Sequence, residues 1–177
     1  MSGITINPIS DFISIKINQF DSTITSKTLT QLNQYPPTPN LMIDLRDNFG
    51  GHLYDALTFG ALFVTKNKLI ELVSKDKKTI ITRPENHPWI ATKQLIILVN
   101  ETTASAAEAC AHVLSAHPNA LIIGTNTLGK TAIKSSQAPS HTHFLLPNHH
   151  IVPDIFHRFN SHSDYQTSYL TAIQLAN

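Results

Sequence analysis

Apolar and polar positions change their period several times along the chain, and each change predicts an element. Phe12 to Ile17 (FISIKI) alternates in the manner of a half-buried strand. Ile24, Leu29 and Leu32 then give a rough helical stripe, closed by the proline cluster YPPTPN (Tyr35 to Asn40), a short connection inside the domain. Leu41 to Leu45 (LMIDL) is a nearly continuous apolar run interrupted by Asp44, which predicts a buried strand. The turn residues Asn48, Gly50 and Gly51 follow, then a helix with Leu53, Ala56, Leu57, Ala61 and Leu62 on its apolar side.

The same reading continues to the C-terminus. Strands are predicted at Leu69 to Val73 and Thr79 to Thr82, a loop between Pro84 and Pro88, and a strand at Leu95 to Val99. Ser105 to Leu114 is alanine-rich with high helix propensity. Ala120 to Ile123 (ALII) is another apolar strand running into glycine. Weaker strands are predicted at His143 to Leu146 and Ile151 to Phe156, and a closing helix from Asp164 to Leu175. Strands alternating with helices predict an α/β fold, a core sheet covered by helices. A length of 177 residues suits one domain over residues 1–177, without internal repeats.

Composition narrows the function classes. Charged residues make up 14% against roughly 25% in an average domain. The formal net charge is +1, so no electrostatic footprint for nucleic acid or an anionic membrane is present. The longest apolar runs are strand-length, and MSGITINPIS lacks the basic start and apolar stretch of a signal peptide, which leaves the compartment undirected. The single cysteine, Cys110, cannot form an internal disulfide and is expected in the core on a helix face. The ten histidines include HTH (His141 to His143) and the pair His149–His150. They lack H-E-x-x-H spacing and any CxxC, so no metal or other cofactor is expected. Low charge suits self-association, but no segment identifies an interface.

One short motif invites a specific chemistry. Gly124 to Thr131 (GTNTLGKT) matches G-x-x-x-x-G-K-[ST], the loop that cradles nucleotide phosphates. Such a loop must open a helix, whose N-terminus supplies free N–H groups and a favourable dipole. Here Thr131 to Lys134 alternates like a strand and Pro139 arrives before a long helix could form. Nucleotide binding at residues 124–131 therefore remains the weakest of three readings.

Three segments taken together resemble the catalytic domain of the C-terminal processing (tail-specific) serine proteases and their tricorn-type and retinoid-binding-protein-type relatives. They are LMIDLRDNFGG (Leu41 to Gly51), LIILVNETTASAAEA (Leu95 to Ala109) and ALIIGTNTLGKTAI (Ala120 to Ile133). The resemblance implies a crotonase-like α/β core. It also implies a serine endopeptidase acting on polypeptides through an acyl-enzyme, with Ser105 as nucleophile and Lys130 as base, 25 positions apart as in the family. Ala106 would donate to the oxyanion from the start of its helix, and the Gly50–Gly51 turn would add a second donor. A lysine works as a base only when neutral. Lowering a lysine pKa by about three units takes roughly 4 kcal/mol, which burial can supply, so Lys130 is expected against apolar strands.

The residues have plainer readings too. Ser105-Ala106-Ala107-Glu108 spells a capping box, and Glu108 could simply cap its helix. Asp44 and Arg46 could be a strand-end ion pair, with Arg46 a supporting candidate. Lys134 stands where many relatives carry a glutamine that orients the lysine, His52 after the glycine turn is a candidate substitute partner, and Phe49 replaces the usual proline. The chain has no room for a PDZ module, which implies one domain of a longer multidomain protein or a reduced member. Relatives are often extracytoplasmic. A non-catalytic binding or scaffold domain on the same fold is the alternative function.

Overall fold

The computed structural model describes residues 3–37, 39–132, 142–146 and 151–156. A six-stranded sheet forms its centre, built from β1 (Ile4–Ile9), β2 (Phe12–Ile17), β3 (Asn40–Asp44), β6 (Leu95–Val99), β7 (Ala120–Gly124) and β9 (Ile155–Phe156), in the spatial order β1-β2-β3-β6-β7-β9. β1 pairs antiparallel with β2; every other neighbour is parallel. Three helices, α1 (Ile24–Leu32), α2 (Leu53–Gly60) and α3 (Ala106–Leu114), pack with it. A smaller antiparallel sheet holds β4 (Lys68–Val73), β5 (Lys78–Thr82) and β8 (His143–Phe144) in the order β5-β4-β8.

The continuous apolar runs belong to the strands at the centre of the large sheet. Leu41, Ile43, Leu95, Ile97 and Val99 join the main core with α2 and α3. Their alternates Met42, Ile96, Leu98 and Ile123 form a second cluster with Phe12 on the opposite face. Both faces are covered, so polar alternation has nothing to gain there. Cys110 lies fully buried in α3, and burial pushes its thiol far above the usual range, which makes it an inert packing group.

Most predicted elements form, with instructive departures. The segment ITINPI, for which no strand is predicted, is edge strand β1, held in full register by β2 from Ile4↔Ile17 to Ile9↔Phe12. Pro8 is tolerated because an edge strand can spare a donor. The predicted strands at 143–146 and 151–156 shrink to two residues each. The predicted closing helix from Asp164 to Leu175 lies outside the described residues, as does Lys134.

Candidate active site

The three motif segments leave the carboxyl ends of three adjacent parallel strands, β3, β6 and β7. Strands lie about 4.8 Å apart in a sheet, so loops far apart in sequence emerge side by side. Ligands in open α/β sheets bind outside such strand ends.

Ser105 sits at the sharp turn between β6 and α3 with φ 57° and ψ −121°. A non-glycine residue pays for this backbone with strain of about 1–3 kcal/mol, and such residues cluster at active sites. The geometry is that of a nucleophile elbow, which projects a serine from a strand-to-helix turn. Ser105 is half-buried, whereas the helix it opens is almost wholly buried.

Glu108 does far more than cap that helix. Its fully buried carboxylate accepts four hydrogen bonds. Oε1 takes the Thr127 hydroxyl and the Gly129 N–H, each at 2.6 Å. Oε2 takes the N–H groups of Ser105 and Lys130, each at 2.8 Å. One oxygen thus binds both backbones, and the two nitrogens lie within about twice that distance of each other. Thr127 Oγ1 accepts in turn from the Ile151 N–H at 2.8 Å, so its one proton is committed to Glu108. The Thr127, Gly129 and Lys130 donors are the ones a nucleotide loop at residues 124–131 would turn toward phosphate. A buried carboxylate holding them opposes the nucleotide reading.

The glycine turn is fixed against the same elbow. Buried Asn48 donates Nδ2 to the Ile17 carbonyl (2.9 Å), accepts the Gly50 N–H on Oδ1 (2.8 Å) and receives the Ala104 N–H on its carbonyl (3.0 Å). Gly50 has φ +108°, and a Cβ there would come within 3.0 Å of the Ala106 nitrogen and the Ser105 Cβ. The missing side chain keeps the space before the Ala106 N–H open. Gly51, at φ +125°, would drive a Cβ to 2.3 Å from the Phe20 carbonyl oxygen. The Gly50 N–H is committed to Asn48, which leaves it no proton for the oxyanion role expected of the pair. Ala106, at the first helical position, has no intrahelical acceptor for its N–H, as the oxyanion role requires.

The flanking loop is equally braced. Asp47, at φ 61°, receives the Asn100 amide (2.8 Å) and the Thr102 hydroxyl (3.0 Å), while its own N–H donates to Asn100 Oδ1 (3.0 Å). Burial pushes its carboxyl up, but the Asn100 and Thr102 bonds outweigh that and hold it below the usual range. Arg46 grips the buried Asp44 through Nε (2.9 Å) and Nη2 (2.8 Å), with Lys16 at 3.3 Å. Arg46 is thus the strand-end brace allowed for it. Exposed His52 caps α2 and pairs with Asp55, Nδ1 to Oδ2 at 3.0 Å.

Lys130 departs from expectation. Its side chain is exposed rather than packed against apolar strands. Among the described residues, no hydrogen bond joins its Nζ to Ser105 Oγ. The reason is local: Gly129 (φ 79°) turns the chain, Glu108 holds the Lys130 backbone, and Thr131, not Lys130, faces inward. All three motif segments hold a bracing residue: Asn48, expected only as a turn residue, and Thr127 and Asn100, for which the sequence predicts no separate role. A polar residue that is to be buried at a turn needs partners, but the sequence does not say which.

The profile of the family described as "Peptidase family S41" matches residues 11–152. The carboxy-terminal processing protease CtpA of Bacillus subtilis is 32% identical over 127 residues, covering 70% of this chain and 27% of that protein. The carboxyl-terminal-processing protease of Picosynechococcus is 26% identical over 147 residues, covering 75% and 34%. Among solved structures, the photosystem II D1 C-terminal processing protease superposes with a TM-score of 0.74 at 22% identity, over 89% of this chain and 49% of that one. The chain spans about a third or less of the length of these two curated relatives.

Proposed function

The chain belongs to peptidase family S41, and from that premise we propose that it is a serine endopeptidase domain in which Ser105 attacks the substrate and Lys130 is the base. The observation that carries this is the strained Ser105 turn between the Gly50–Gly51 turn and the N–H of Ala106, which has no acceptor within its helix. Ser105 Oγ bonds to the scissile carbonyl carbon as its proton passes to Lys130 Nζ, and the N–H groups of Ala106 and Gly51 stabilise the oxyanion. Lys130 returns the proton to the leaving amine as the C–N bond breaks. Water then attacks the acyl-enzyme with Lys130 again as base, releasing Ser105.

The exposed Lys130 gives substrate a part in its own cleavage. A polypeptide lying across the site removes water from the ammonium group, and desolvation favours the neutral base. The same exposure favours a second reading, a binding domain on this fold that performs no hydrolysis. Incubating the protein and its Ser105→Ala and Lys130→Met variants with a mixed peptide library, followed by mass spectrometry, separates the two. Cleavage by the unaltered chain that both variants lose is the expected result. Cleavage surviving in Ser105→Ala would overturn the nucleophile assignment, and none by any chain would leave the binding reading.

A further inference from the structure

A small cavity of about 170 Å³ lies at the end of α3 remote from Ser105, between the last turn of that helix and the first residues of β4. Val64, Leu69 and Val113, all buried, form its apolar back. Lys66, Lys68 and His112 are its ionisable lining groups, and no acidic side chain lines it. A helix rises about 1.5 Å per residue, so the nine residues of α3 set the cavity on the order of 13 Å from the proposed nucleophile. It is no part of the hydrogen-bonded centre described above.

The charges around this cavity are unbalanced. Lys68 is matched by Glu71 at 3.1 Å. Lys66 has no acidic partner among the described residues, and the His112 ring has no hydrogen-bond partner among them. Burial holds His112 below the usual histidine range, and the nearby Lys66 ammonium lowers it further. Lysines near a helix C-terminus often serve its unpaired carbonyls. Here those carbonyls are already occupied: Ala111 accepts the Ser115 N–H (2.9 Å), His112 the Ser115 hydroxyl (2.7 Å), Val113 the Ala116 N–H (3.1 Å) and Leu114 the His117 N–H (3.0 Å). Lys66 is not needed as a cap, and cationic groups converge on a cavity whose lining supplies no counter-charge.

We propose that this cavity binds a small free oxyanion of the phosphate class, held by Lys66 and His112 with Lys68 beside them; the proposal stands whether or not the chain cleaves peptides. The volume lies below the roughly 300 Å³ at which sites for drug-sized ligands begin, which excludes a nucleotide or a peptide. An oxyanion accepts from the Lys66 ammonium and from an imidazole N–H, and its charge favours the imidazolium form of His112. The apolar back keeps water from one side, so each charge counts for more than it would in open solvent.

The test follows the His112 ring by NMR, its signal identified as the one that His112→Gln removes. Inorganic phosphate replaces chloride near neutral pH at constant ionic strength. A saturable shift toward the imidazolium position in the millimolar range is expected, the scale of a few partly exposed charge contacts. The His87 and His117 rings, which line no part of the cavity, should not follow it. Lys66→Glu should weaken phosphate binding about tenfold. No saturable shift at His112, a response that Lys66→Glu leaves intact, or an equal response at all three histidines would each overturn the proposal and leave these lysines as solvated surface charge.

Discussion

Ser105 and Lys130 are held by the same carboxylate oxygen, yet their surroundings differ. The Ser105 turn is enclosed: Ala104, Ala106, Ala107 and Glu108 are essentially without exposure, and the backbone is strained. The Lys130 side chain stands in solvent, while its backbone N–H is held by Glu108. One half of the proposed dyad is preorganised by packing, and the other is positioned but not desolvated. In such a site the nucleophile's geometry is a property of the folded chain, while the base's reactivity depends on what covers it.

The sharpest way to break this contrast is at Glu108, which joins the halves. Glu108→Ala should lower stability by about 3 kcal/mol or more, read by urea unfolding, because four donors lose their acceptor in a buried place. Glu108→Gln should recover only part of this, since an amide has one acceptor oxygen. A loss below 1 kcal/mol for Glu108→Ala would mean the hub is not holding the two turns together.

Next in size is the glycine turn. Gly51→Ala should cost about 2–3 kcal/mol, since its Cβ meets the Phe20 carbonyl at 2.3 Å and φ is +125°. Unchanged stability would mean that this turn adapts, contrary to the enclosed character assigned to the nucleophile side. Lys130→Met tests the other half. Its effect on stability should stay within about 0.5 kcal/mol, as for an exposed side chain. Cleavage should nonetheless fall on the order of 10²–10⁴-fold, the worth of a general base. A large loss of stability would contradict its exposed setting.

The smallest expected effect concerns pH. Burial lowers the pKa of His87, His112 and His117, with Arg83 adding to the effect at His87 and Lys66 at His112. A histidine whose folded pKa is depressed binds more protons when unfolded. Its contribution is full above the unfolded value near 6.5 and is lost as pH falls through the folded value. Melting temperature should therefore decline from pH 7.5 toward pH 5, and His112→Gln should flatten that slope. A melting temperature that rises on acidification would reverse the sign.

Much of this was legible in the chain. The runs LMIDL, LIILV and ALIIG announce buried strands because a strand covered on both faces has no polar side to show. The glycines of DNFGG and the S-x-x-E of SAAEA mark the turn and helix start because local backbone rules require them. Strand β1 was not legible: ITINPI carries a proline and weak alternation, and it forms because β2 supplies a partner. Local sequence thus determined which elements form and where their turns fall. Only the tertiary structure decided that β3, β6 and β7 lie side by side, that Glu108 gathers Ser105 and Lys130 on one oxygen, and that Lys130 is left in water. Strand order and burial depend on contacts between residues far apart in sequence, and no local pattern encodes which distant group will satisfy a buried donor.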